Sequence, residues 1–389
     1  MSGFGPMAGT AGTAGTAGTA GTAGTAGTAG TAGTAGTSPA IVGQDGSVGW
    51  PGYSGQISNP MLSYAMIQTR EALVEGLLPP GPGNVPAFVP EVLSTCQPNV
   101  RALLIECELA ASLTFSVKAK GKSASLRAQG RDLLTLVRPD ERVFGLEVAR
   151  VLSKASLREE RGTEILSQVV PQTAYWASIL GLQPDRHRHT LEWLGAALKF
   201  SMVQVMRFKY ALGVQRPVLY SALVQPMVLT PGYAAWPSGH ATEAYMVAAL
   251  VSQSARSSLR RGVFRPAHRG QAAEWEHQLK RLAFRVAENR EVAGLHFPLD
   301  TLAGRLLGEV LADYFLACST GGRFSSGALF RWAPKNRPPA EPCIDEPLAQ
   351  AGEVNGLRPI TLGTTQHKAQ PLPSLHTLYT WACREWEVV

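Results

Sequence analysis

The part of the chain between Lys209 and Asp300 contains side chains that could act on an anion, arranged in three short motifs. These motifs supply three cations, two imidazoles and one carboxylate: Lys209, Arg216, Arg290, His240, His296 and Asp300. Lysine and arginine neutralise the oxygens of a tetrahedral oxyanion, and arginine also binds them with a planar fork of donors. Two histidines can divide the roles of nucleophile and proton donor. The motifs therefore predict a site for a phosphate-like anion.

Helix starts are predicted beside two of the motifs. Pro237 suits the first turn of a helix, which places the N–H groups of Ser238, Gly239 and His240 among the unpaired donors of its N-terminus. Such donors point at a bound anion. Pro298 likewise suits a helix start just after His296, so Asp300 is expected to accept a hydrogen bond from one ring nitrogen of His296.

The charged residues also continue apolar helical stripes. Lys209 lies four residues after Val205 on such a stripe, and Arg290 lies four residues after Val286. His240 and Asp300 stand at the head of comparable stripes. A buried charge without a partner costs several kcal/mol. These side chains are therefore expected to face one another or a common anion.

The three motifs resemble those of the superfamily of type 2 phosphatidic acid phosphatases (PAP2) and vanadium-dependent haloperoxidases. The family pattern is Lys, six residues, Arg-Pro; then Pro-Ser-Gly-His; then Ser-Arg, five residues, His, three residues, Asp. The sequence reproduces each spacing over a resemblance that covers about residues 130 to 318, and Asn289 stands where the family usually has Ser. The resemblance implies an all-α helical bundle with a central oxyanion site.

The resemblance also implies a role for each residue. The oxygens of the anion would be bound by Lys209, Arg216, Ser238, Gly239 and Arg290. His296 would be the nucleophile of a phosphatase or the protein ligand of vanadate in a haloperoxidase, with Asp300 fixing its tautomer. His240 would protonate the leaving group of a phosphate ester or assist peroxide binding.

Two residues favour the haloperoxidase branch. Thr242, after the Pro-Ser-Gly-His motif, looks more like that branch, and Trp236 could be the aromatic wall of a halide site, although it could equally be a packing residue. The favoured prediction is a vanadate-dependent peroxidase that oxidises halide with hydrogen peroxide. The alternative is a soluble acid phosphatase that forms a phosphohistidine and needs no cofactor. A non-catalytic oxyanion-binding protein is the third candidate.

Composition and charge limit the partners. The net charge of +7 and pI near 9.3 are mild and compatible with a small anionic substrate. The arginine-rich segment 256–269 has Phe264 as its one Phe, Tyr or Trp and is expected to be a solvated loop joining two helices, so no nucleic-acid partner is expected. The N-terminus lacks the pattern of a signal peptide, and no apolar run approaches the roughly 18 to 20 residues of a membrane span. The prediction is a soluble, cytoplasmic protein.

A zinc site at His187 and His189 is not favoured, because the sequence offers no further zinc ligands nearby.

The chain divides into three predicted parts. Residues 1–40 form a disordered tail, in which Ala-Gly-Thr repeats without interruption from 8 to 37. Residues 41–320 form the helical catalytic domain, with its motif core at 200–318. Residues 321–389 form a proline-rich C-terminal extension. Few stretches alternate with period two, and residues 100–117 are predicted as a helix followed by a basic loop.

Overall fold

The computed structural model describes residues 64–65, 67–69, 93–170, 172–257 and 262–387. The predicted tail at 1–40 and the first part of the predicted catalytic domain lie outside the described residues. From residue 93 onward the α-helices are α1 Pro98–Ser112, α2 Glu141–Ser153, α3 Arg158–Ser167, α4 Thr173–Leu180, α5 Arg188–Leu212, α6 Pro217–Tyr220, α7 Gly239–Ser257, α8 Arg269–Val292, α9 Pro298–Thr320 and α10 Pro373–Arg384.

Helix α7 lies at the centre of the fold, where it packs against α8, α9 and α5. Two glycines of α9 allow the closest approach. A Cβ atom added at Gly304 would lie 2.6 Å from the backbone oxygen of Ser238, and one added at Gly308 would lie 2.4 Å from that of Thr242. Because no other side chain fits there, these glycines set the distance between α7 and α9.

The prediction of an all-α fold is wrong, because the structure contains two sheets. The strands are β1 Leu113–Lys118, β2 Ser123–Ala128, β3 Arg131–Val137, β4 Arg323–Ser326, β5 Ala328–Phe330, β6 Ile360–Thr361 and β7 Thr365–Lys368. One sheet has the order β1-β2-β3-β5-β6, and the other pairs β4 with β7. Strands β3 and β5 are parallel, whereas the other neighbours are antiparallel.

Residues 100–117 do not form the single helix that is predicted. Helix α1 ends at Ser112, and the backbone becomes extended at Leu113. The following residues include Phe115 and Val117, which favour strands, but β1 is an edge strand and most of its side chains are only partly buried. The alternation of apolar and polar side chains along β1 is therefore weak. Antiparallel pairing with β2 and the edge-on packing of Phe115 on Phe208 of α5, at 5.1 Å between ring centroids, stabilise it as a strand.

The segment predicted as a C-terminal extension supplies β4 to β7 and α10. Within it, β5 pairs with β3 through residues such as Ala328 and Leu134. Arg305 of α9 also donates to the backbone oxygen of Glu346 at 2.9 Å. These contacts join residues 321–387 to the sheet and to α9.

Across the described ranges, no helix combines the length and the apolar character that a membrane crossing requires.

Candidate functional site

A cavity of about 60 Å³ lies where the N-terminus of α7 and the residues before α9 meet the C-terminal turns of α5 and α8. One water-sized sphere needs roughly 10–15 Å³, so this space holds about as many atoms as a tetrahedral oxyanion has oxygens. Its polar lining is Gln172, Lys209, Arg216, Tyr233, Gly239, His240, Glu243, Arg290 and His296. The apolar lining includes Val169, Val170, Met202, Val205, Met206 and Leu295.

Lys209 projects from the last turn of α5, which Gly213 ends in a left-handed conformation with φ of 59°. The Lys209 Nζ donates to the backbone oxygens of Ala234, at 2.9 Å, and Ala235. Burial lowers the pKa of Lys209 well below its usual value, and the charge of Arg216 lowers it further. A bound anion would offset both effects by supplying negative charge.

Arg216 orients the nucleophile candidate. Its Nε donates to the backbone oxygen of Tyr233 at 3.0 Å, and its Nη1 donates to that of Leu295 at 3.1 Å. The same Nη1 lies 3.1 Å from Nε2 of His296. A guanidinium only donates hydrogen bonds, so Nε2 of His296 is the acceptor and carries a lone pair.

The other ring nitrogen of His296 is bound to Asp300. Nδ1 lies 2.7 Å from Oδ2 of Asp300, which also accepts from the backbone N–H of Phe297 at 3.1 Å. Burial raises the pKa of Asp300 to about 7. Burial, followed by the charge of Arg216, lowers the pKa of His296 well below its usual value. His296 is therefore a neutral imidazole in the anion-free site, with its proton on Nδ1 and its lone pair facing the cations.

His240 stands at the start of α7. Its Nε2 donates to the backbone oxygen of Gln168 at 3.0 Å, which leaves Nδ1 as the ring nitrogen free to act on a ligand. Burial lowers the pKa of His240 to about 3, and the nearby charge of Arg290 adds to this effect. The imidazole is therefore neutral until a bound anion compensates the surrounding cations.

Arg290 lies 1% exposed near the end of α8. Its Nη2 donates to the backbone oxygen of Ile165 at 2.9 Å and to Oε1 of Gln168 at 3.4 Å. Its Nε is buried and has no partner within the described part of the chain. Burial lowers the pKa of Arg290 to about 10, so it remains a cation at neutral pH. A cationic side chain with a spare donor suits an oxyanion.

Ser238 differs from the expectation for a free helix-start donor. Its N–H donates to the backbone oxygen of Asp300 at 3.0 Å, and its Oγ accepts from the N–H of Ala241 at 3.4 Å. Ser238 is fully buried and joins the start of α7 to the first turn of α9. Gly239 and His240 line the cavity, so the backbone donors that remain near an anion are theirs.

All three motifs lie within the segment 191–322, which matches the family model described as the PAP2 superfamily. This segment belongs to the PAP2 superfamily. The superfamily consists of oxyanion-binding enzymes of the phosphatase and haloperoxidase type, and this segment is of that type. No curated protein sequence matches the chain.

The aromatic ring beside the PAP2 site is Tyr233 rather than Trp236. Trp236 is fully buried, donates from Nε1 to the backbone oxygen of Leu299 at 3.3 Å and packs edge-on against Phe330. It is not among the residues that line the cavity, and this geometry favours the packing interpretation. The Tyr233 ring centroid lies 5.5 Å from Nζ of Lys209 and 5.2 Å from Cζ of Arg216.

Four residues near the PAP2 site were not predicted as part of it: Gln168, Gln172, Glu243 and Asn289. Glu243 lies three residues after His240, a spacing that places both on one side of a helix, and this signal was available in the sequence. The two glutamines lie on a connection between helices, where no periodicity indicates their direction. For Asn289, the sequence indicates only that it stands where the family usually has Ser.

The two histidines weighed as a zinc site lie elsewhere. Nδ1 of His187 accepts from the N–H of Gln183 at 3.0 Å, and Nδ1 of His189 lies 2.9 Å from Oε1 of Glu385. They hold the start of α5 against neighbouring chain segments.

Proposed function

We propose that this protein hydrolyses phosphomonoesters, with His296 as the nucleophile. The observation that carries the proposal is the arrangement of the His296 ring. Asp300 accepts from Nδ1 at 2.7 Å, while the lone pair of Nε2 accepts a hydrogen bond from Nη1 of Arg216 at 3.1 Å, a donor that a bound phosphate would take over. This is the tautomer that an attacking imidazole needs, next to a cation that binds the group under attack.

The reaction takes two steps at this site. Nε2 of His296 forms a bond to phosphorus as the bond to the leaving oxygen breaks, and His240 gives that oxygen a proton from Nδ1. Water then attacks the phosphohistidine and gives a proton to His240, so phosphate leaves and both rings are restored. His240 is neutral without ligand, but a bound dianion offsets the charges of Arg290 and Lys209 that lower its pKa. Substrate binding therefore supports the protonated form.

Halide oxidation is the second candidate, and the Tyr233 ring on the cavity is the observation that favours it. Lys209, Arg216 and Arg290 suit the oxygens of vanadate as they suit those of phosphate, and His296 would be its protein ligand. Bound vanadate would supply the activation of hydrogen peroxide. Two observations favour phosphate ester hydrolysis instead. Trp236 is fully buried and does not line the cavity, and Thr242 is fully buried as well.

A parallel assay of the purified protein tests the order of these candidates. One sample receives p-nitrophenyl phosphate, and another receives vanadate followed by hydrogen peroxide and bromide. We expect release of nitrophenolate, its inhibition by vanadate, and its loss in His296→Ala. Bromide oxidation without ester hydrolysis would reverse the order. Phosphate binding without either reaction would identify a non-catalytic oxyanion-binding protein.

A further inference from the structure

Glu243 is a carboxyl group on the wall of a cavity that otherwise suits an anion. It lines the cavity together with Lys209, Arg216 and Arg290. Among the residues that the structure describes, Glu243 has neither a hydrogen-bond partner nor an ion-pair partner. A carboxylate so close to an oxyanion site weakens the binding of a bare oxyanion. The position is therefore explained better by a ligand that carries a donor as well as an anion.

The position of Glu243 on α7 shows which part of a ligand it faces. Glu243 follows His240 by three residues, which is about 4.5 Å along a helix and nearly the same side of it. His240 is the group that we assign to the leaving oxygen. Glu243 therefore stands about one turn of α7 further from the helix N-terminus than the group that acts on the leaving oxygen.

Gln172 belongs to the same end of the cavity. Its Nε2 donates at 3.3 Å to the backbone oxygen of Gln168, which is also the acceptor for Nε2 of His240. Its Oε1 is buried and has no partner within the described ranges. The end of the cavity beside His240 thus holds the unpaired Oε1 of Gln172 and the Glu243 carboxyl together with Arg290, whereas Arg216 lies beside His296. Burial raises the pKa of Glu243 to about 7, so the group is a carboxylate in mildly alkaline solution.

The cavity also has room for a leaving group to extend. Val170 and Met206 line it and are each 38% exposed, so the wall near them reaches the protein surface. A short chain attached to the leaving oxygen can extend along this apolar wall, which belongs to the same cavity as Glu243.

We infer that Glu243 forms a leaving-group subsite that selects phosphomonoesters with an ammonium group a few bonds from the ester oxygen, that is, phosphates of short amino alcohols. The inference rests on the proposed function, because His240 defines where the leaving group lies. An ammonium ion pairs with the carboxylate in a partly desolvated place, and hydrogen bonds to charged groups are the stronger ones. A methyl group of the same size gains nothing from that pair.

Binding of two matched phosphonates tests the inference without requiring turnover. The affinities of 2-aminoethylphosphonate and propylphosphonate, which differ in one ammonium or methyl group, are measured by calorimetry at pH 8, with inorganic phosphate as the reference anion. We expect the aminoethyl compound to bind about tenfold tighter or more, as one charged hydrogen bond provides. In Glu243→Gln the two should bind equally, while inorganic phosphate binds as tightly as before or tighter.

The outcomes separate this inference from the proposed function. Equal affinity of the two phosphonates in the natural protein, with phosphate bound, would overturn the subsite and leave the anion site standing. A preference that survives in Glu243→Gln would overturn the assignment to Glu243. Failure of phosphate itself to bind would overturn the proposed function and the subsite with it. Thermal unfolding of Glu243→Gln shows whether the variant is folded, and Glu243→Leu gives a second test of the lost preference.

Discussion

The side-chain amide of Asn289 donates a hydrogen bond to Oε1 of Gln168 at 3.0 Å. The same oxygen lies 3.4 Å from Nη2 of Arg290, and the backbone oxygen of Gln168 accepts from Nε2 of His240 at 3.0 Å. Asn289 also donates to Glu164 at 3.0 Å. Gln168 therefore connects one cation and one imidazole of the site, and Asn289 fixes its side chain. A serine at position 289 is too short to make the same bridge.

We expect Asn289→Leu to lower kcat/KM for p-nitrophenyl phosphate by about tenfold, because the two hydrogen bonds that the Asn289 amide donates are lost, at about 1 kcal/mol each, and Gln168 can then shift with Arg290. A positioning role predicts that phosphate affinity falls along with turnover. Gln278→Ala, at an exposed site on the same helix, is the matched control. Unchanged kinetics in a folded Asn289→Leu protein would exclude the positioning role.

Phosphate and vanadate are expected to compete for one site, since both need the same cations. Arg290→Ala should weaken both anions by about 10- to 100-fold, in line with the roughly 1.5–3 kcal/mol of a hydrogen bond to a charged group. Equilibrium titration of one anion in the presence of the other measures this. Arg281→Ala removes an equal charge from an exposed position of the same helix and should change little. Additive, independent binding of the two anions would refute a shared site.

The close grouping of the site residues could be predicted, and the reason is local. Lys209, His240 and Arg290 each continue an apolar stripe of a long helix, and burial of that stripe decides where they point. The bond between His296 and Asp300 also follows from spacing, because Pro298 starts the helix between them. The periodicity of each helix, and the proline at the start of α9, carry this information.

Other features depend on contacts that local sequence does not encode. Leu134 of β3 pairs with Ala328 of β5, and the whole PAP2 segment lies between them in the sequence, so neither strand shows in its own pattern that a sheet exists. Trp236 and Tyr233 both lie in the connection before α7, where no period indicates which ring faces the cavity. The structure buries the former away from the cavity and places the latter on its wall. The choice between halide oxidation and ester hydrolysis stays a prediction.

The low pKa of His240 makes stability depend on pH. Its pKa is about 3 in the folded protein and about 6.5 in an unfolded chain, so between these values the unfolded state binds a proton that the folded state does not. His240 therefore makes the free energy of unfolding decrease as pH falls through that window. Asp300 and Glu243, whose pKa values are raised to about 7, act in the opposite sense.

Comparison with His240→Gln isolates this effect. Between pH 6.5 and 4.5 the natural protein should lose about 2 kcal/mol more than the variant, at 1.36 kcal/mol per pH unit discounted for residual solvent access. Denaturant unfolding at several pH values measures the difference. Parallel curves for the two proteins would show that His240 titrates normally.

Gly304 permits α7 to lie close enough to α9 to bring His240 toward His296. Gly304→Ala should destabilise the fold by about 1–3 kcal/mol, as overpacking does, and weaken phosphate binding, because the added methyl meets the backbone oxygen of Ser238. Gly145→Ala is the control, since no atom lies within 4 Å of its added Cβ. Alanine is favoured over glycine inside a helix, so that variant should gain about 0.5–1 kcal/mol. Equal effects of the two substitutions on unfolding would refute the packing argument.

The two histidines should separate by role. His296→Ala should abolish any phosphohistidine, because the attacking nitrogen is gone. His240→Ala should keep phosphate binding but slow hydrolysis of an alkyl phosphate by roughly 10²–10⁴-fold, the usual contribution of a general acid. That loss should shrink for p-nitrophenyl phosphate, whose leaving group needs no proton.

This division of roles has a physical reason in the contacts of each ring. Nη1 of Arg216 contacts His296, whereas His240 is bonded to the backbone oxygen of Gln168 instead of to a carboxylate. Rapid quenching with labelled substrate, followed by peptide mapping, locates the phosphoryl group. Label on His240 would exchange the two roles and overturn the mechanism proposed for this site.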